Sequence, residues 1–105
     1  MPTYKFTTRE SERSGKLIIE FLELPQDKDF VKQLIRTFKP INIVVENYKD
    51  LWEHEEIVIN ASSDVGPFTI YRDAADYYYI TVNDNPDTII KLEGLLIANP
   101  AFYKI

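Results

Sequence analysis

No cysteine occurs in the chain. That absence excludes disulfide staples, thiol nucleophiles, iron–sulfur clusters and the usual zinc frameworks. Histidine is nearly as scarce. His54 is the only one, so any imidazole chemistry has to run through it. Three glycines in 105 residues leave little room for a P-loop, a dinucleotide-binding turn, a nucleophile elbow or a calcium loop, all of which place glycine at fixed positions. No run approaches the ~18 apolar residues of a membrane span. The first residues, Met1-Pro2-Thr3-Tyr4-Lys5, do not resemble a secretory leader, and the expected location is the cytoplasm. Asn60-Ala61-Ser62 spells a glycosylation sequon, which means nothing without export. No membrane partner, metal or cofactor is expected.

What is present is enough for a core. Hydrophobic residues make up 45% and aromatics 13% of the chain, which argues for one folded domain rather than a disordered segment. Seventeen acidic residues against twelve basic ones give a net charge of −5. Such a balance repels phosphate backbones, so nucleic acid is not an expected partner. The basic residues are scattered, with Arg9, Arg13 and Lys16 in one loop and Lys32, Arg36 and Lys39 along one amphipathic helix. An acidic surface favours a basic protein partner through complementary fields.

Periodicity supplies the fold class. Tyr4 to Thr8 alternates and reads as a strand, and the polar stretch from Arg9 to Gly15 reads as a loop in which Gly15 suits a positive φ. Lys16 to Leu24 carries apolar residues on both faces and ends at Pro25, as a central strand would. Phe30, Val31, Leu34, Ile35 and Phe38 paint one stripe on a helix. Asp27 suits its start, Asp29 the positive end of its dipole and Lys39 the negative end, and Pro40 stops it. Ile41 to Glu46 reads as a strand, whereas Asn47 to Glu56 reads as a turn with some helical character. Strands are then expected at Ile57 to Asn60, Phe68 to Arg72 and Tyr77 to Asn83, the last two forming a hairpin around Asp73-Ala74-Ala75-Asp76. The register expected for it sets Arg72 opposite Tyr77 and Ile70 opposite Tyr79. A second helix opens at Asn83-Asp84-Asn85-Pro86-Asp87, where Asn85 or Asp84 caps and Pro86 takes the first helical position. Its buried stripe is expected to be Ile89, Leu92 and Leu96 with Ile90 and Ile97 beside them. Gly94 costs about 1 kcal/mol relative to alanine within a helix and suggests close packing against another backbone. Asn99-Pro100 stops the helix, and Ala101 to Ile105 suits a short edge strand. The class is α+β, a largely antiparallel sheet of five to six strands with two helices packed on one face.

Two clusters carry chemistry-bearing side chains. In Trp52-Glu53-His54-Glu55-Glu56 an imidazole stands among carboxylates, but on a strand His54 shares its face only with Trp52 and Glu56. That is a poor ligand set, and an exposed acidic segment explains it as simply. The other cluster joins Arg72, Asp73 and Asp76 with Tyr77, Tyr78 and Tyr79. Tyrosine and arginine anchor protein interfaces because rigid rings and a planar fork give contact area at low entropic cost. Cross-strand aromatic ladders also stabilise hairpins without binding anything. The candidate binding residues are therefore Arg72, Asp73, Asp76, Tyr77 and Tyr79, with no catalytic residue assigned. Three readings follow: a non-catalytic protein-interaction module of inhibitor-like character, a small-molecule binder or small enzyme using Asp, Glu and Tyr in a pocket, and a structural homo-oligomer subunit.

Overall fold

The computed structural model describes residues 4–12, 15–22, 30–51, 56–73, 77–82 and 85–105. Alternating side chains make the first strand, β1 (Tyr4–Glu10), whose Tyr4 and Phe6 are buried. It turns back into β2 (Leu17–Leu22) in an antiparallel hairpin that sets Thr7 opposite Glu20 and Arg9 opposite Ile18. Ser11 N–H bonds to Lys16 O at 2.8 Å, and Gly15, at φ 69°, takes the left-handed turn position expected for it.

Helix α1 (Phe30–Thr37) buries Phe30 and Leu34; Asp27 and Asp29 lie outside the described residues. A short 3-10 turn, Lys39–Ile41, follows the helix at Pro40, and Asn42 at φ 54° redirects the chain. Strands β3 (Val44–Leu51), β4 (Glu56–Ser62), β5 (Phe68–Arg72) and β6 (Tyr78–Thr81) then run as a meander, each antiparallel to the next. Helix α2 (Pro86–Ala98) opens as its sequence dictates: the Asn85 side chain accepts from Asp87 N–H at 3.0 Å, with Pro86 in the first turn. At its far end Asn99 accepts from Ala101 N–H at 2.9 Å and donates to Thr37 Oγ1 at 2.9 Å, tying the ends of the two helices together. The closing strand β7 (Phe102–Lys104) pairs with β1 in parallel, the one parallel ladder described.

The sheet has seven strands in the order β3-β4-β5-β6-β2-β1-β7. Phe6, Ile19, Phe21, Ile59, Phe68, Ile70 and Ile80 point to one face, where Phe30, Leu34 and Phe38 of the first helical region and Ile89, Leu92 and Leu96 of α2 meet them. Phe30 sits at the hub. Its ring lies 5.0 Å from Tyr4, 5.0 Å from Phe21 and 4.7 Å from Tyr78, each edge-on, the geometry that ring quadrupoles prefer. Burying each such side chain contributes about 1.5–3 kcal/mol.

Four expectations need correction. Residues 47–51 are strand, not turn, and extend β3; the sheet holds seven strands rather than five to six because the short closing strand β7 joins it. The stretch is hard to read because β3 is an edge strand, with Val44, Val45 and Tyr48 exposed and a bulge between Val45 and Asn47 interrupting the alternation. The segment from Ile41 does not enter the sheet until Val44. The hairpin register differs by one residue: Arg72 opposes Tyr78, Tyr71 opposes Tyr79 and Ile70 opposes Ile80. That slip unites Phe68, Ile70, Ile80 and Val82 on the core face, whereas the expected register divides them between the two faces, and burial therefore selects it. Finally, Ile90 and Ile97 are exposed rather than buried, and no atom lies within 4 Å of where a Gly94 side chain would begin.

Candidate functional site

Because both helices pack on one face, strand alternation sends the intervening residues to the other. This outer face carries Thr7 and Arg9 from β1, Ile18 and Glu20 from β2, Tyr71 from β5, and Tyr79 and Thr81 from β6. Tyr77, one residue before β6, follows the same alternation. Its N–H donates to Asp73 Oδ1 at 3.1 Å and its carbonyl accepts from Asp73 N–H at 3.0 Å, so these two residues close the hairpin connection.

A charged network lies at the centre of the face. Glu20 is a carboxylate in the middle of the apolar run LIIEFL and is only 8% exposed, a placement that needs compensating donors. Arg9 supplies one, its Nε–H donating to Glu20 Oε1 at 2.7 Å, while its NH1 donates to Glu10 O at 3.1 Å. The Tyr77 hydroxyl supplies the other, donating to Glu20 Oε2. Beside the network the Tyr71 and Tyr79 rings stack at 5.2 Å, and Tyr77 leans on Tyr79 at 5.4 Å. The three rings form a row across β5 and β6.

The network sets the titration of its members. Arg9's hydrogen bond holds the Glu20 carboxyl below the usual carboxylate range, against the opposing effect of burial. Burial, reinforced by donation to Glu20, pushes the Tyr77 phenol up to about 12. The Arg9 guanidinium is held protonated by the same hydrogen bond. At neutral pH both Glu20 and Tyr77 are thus far from the range in which a general acid or base works best, and each Glu20 oxygen accepts a hydrogen bond. The chemistry suits holding a surface in place.

A groove of about 470 Å³ runs along this face, lined by Arg9, Lys16, Ile18, Asp73, Tyr77 and Tyr79 among others. Tyr77, Tyr79 and Asp73, singled out from the sequence, therefore come together. Arg72 does not join them. It opposes Tyr78, whose ring packs on Phe30 on the helix side. Asp76 lies outside the described residues, as do residues 52–55 with His54. Sequence reasoning missed Arg9, Glu20 and Tyr71. A signal existed, because a lone glutamate flanked by Ile18, Ile19 and Phe21 calls for a cation, and the hairpin partner strand offers Arg9 diagonally across.

No protein-family model, curated protein or solved structure matches this chain.

Proposed function

We propose that the chain is a non-catalytic binding module that takes a protein partner on the outer face of its sheet, around Tyr71, Tyr77 and Tyr79. The observation that carries this reading is the Arg9–Glu20–Tyr77 network. It immobilises a guanidinium and a phenol beside two stacked rings before any partner arrives. Side chains already fixed forfeit little rotamer entropy on binding, which is how preorganised aromatic and arginine anchors gain affinity. The net charge of −5 favours a basic partner, with encounter faster at low salt.

The test is affinity capture from the source cells with quantitative mass spectrometry. Proteins retained by the wild type and by a helix-side control, Lys32→Ala, are lost with Tyr79→Ala and with Arg9→Ala. Equal recovery by all four baits defeats the proposal.

A second reading has its own observation. The groove, at about 470 Å³, falls within the roughly 300–1,000 Å³ of small-molecule sites. On that reading a metabolite raises the thermal midpoint of the wild type and leaves that of Tyr79→Ala unchanged.

A further inference from the structure

The outward face of α2 exposes two isoleucines where a solvated helix should be polar. Counting 100° per residue from Gly94, the residues turned away from the core are Asp87, Ile90, Lys91, Gly94, Ile97 and Ala98, and all six are exposed. Ile90 is 57% and Ile97 55% exposed. Between them Gly94 has nothing within 4 Å of a built side chain, so packing within the described fold does not explain a glycine that weakens its own helix. The last turn of α2 also carries no basic residue to offset the negative end of its dipole.

We infer that this face docks on a second copy of the chain, with two α2 helices packed antiparallel across a two-fold axis at Gly94. The symmetry is dictated by where the side chains stand. On the helical wheel Ile90 and Ile97 lie to one side of Gly94, and Lys91 and Ala98 lie to the other. An in-plane axis perpendicular to the helices keeps each side on its own side. Ile90 of one copy then meets Ile97 of the other, twice, and each Lys91 comes over the partner helix's last turn, where a cation is wanted. An axis along the helices would instead set isoleucines against Lys91 and align the dipoles. Gly94 at the axis lets the backbones approach closely.

One helix face per copy is small against the roughly 1,200–2,000 Å² of a standard interface, so the association is weak and shows only at high protein concentration. The consequence, which rests on the binding reading above, is that the dimer turns two outer sheet faces away from each other and presents them as a bivalent surface.

Sedimentation equilibrium from about 10 µM to about 1 mM tests this. The wild type passes from monomer to dimer, Ile97→Glu stays monomeric, and Tyr79→Ala dimerises like the wild type. Gly94→Ala supplies the readout that a merely structural role does not move: it raises the thermal midpoint of the dilute protein while weakening self-association about tenfold or more. A wild type that stays monomeric throughout, or a dimer indifferent to both Ile97→Glu and Gly94→Ala, overturns the inference.

Discussion

Glu20 accepts the Nε–H of Arg9 at 2.7 Å from the neighbouring strand, on the sheet face turned away from both helices. A carboxylate that is 8% exposed is held there chiefly by Arg9 and further by the phenol of Tyr77, which takes its second oxygen. The ion pair and the tyrosine row are therefore one construction on the outer face.

Removing the charge at Glu20 exposes the network in stability. Glu20→Gln keeps the shape but replaces a charged acceptor of two hydrogen bonds by an amide with a single acceptor oxygen, which costs roughly 1–2 kcal/mol after allowing for the partly exposed Arg9. Urea denaturation at neutral pH measures it.

The same residue sets the acid limb. Its folded pKa is lowered from 4.5, so the stability it contributes is fully present above that value and is lost as pH falls through the folded one. The wild type loses more stability on acidification than Glu20→Gln, and the two curves converge at low pH. Parallel curves contradict the role given to Arg9.

Tyr77 acts at the other end of the scale. Its pKa rises from 10.0 to about 12, so its contribution is complete below 10 and disappears between those two values. A spectroscopic titration of phenolate absorbance contains a late-ionising phase, and Tyr77→Phe lowers its amplitude by one tyrosine.

Two glycines respond to alanine in opposite directions. Gly66 has φ 115°, and a Cβ there would sit 2.8 Å from Thr88 Oγ1, the hydroxyl that donates to Val65 O at 2.6 Å. Gly66→Ala therefore costs about 2–4 kcal/mol through backbone strain and the displaced hydrogen bond. Gly94→Ala meets open space in a helix and stabilises the dilute protein by up to about 1 kcal/mol. Denaturant midpoints of both variants check the signs.

The sequence was legible wherever a side chain's neighbours are local. The α1 stripe, the Asn85 cap and the Gly15 turn follow from spacing and backbone chemistry, and all three stand in the structure. What escaped depends on contacts distant in the chain. The β5–β6 register turns on which residues the helices cover. The strand character of 47–51 comes from pairing with β4 rather than from its own polar pattern. In α2, Ile90 and Ile97 resemble core residues because periodicity alone does not give the width of the buried stripe. The candidate face was half legible. Tyr77 and Tyr79 were visible as a cluster, but their cation is Arg9, not Arg72, since the register places Arg72 on the opposite side.

The most direct test of the binding face is calorimetric titration of the protein recovered by affinity capture. Binding on the outer face predicts that Tyr79→Ala weakens affinity by about 2 kcal/mol, roughly thirtyfold, while Arg36→Ala on the helix side leaves it unchanged. Undiminished affinity with Tyr79→Ala, or a loss confined to Arg36→Ala, contradicts it.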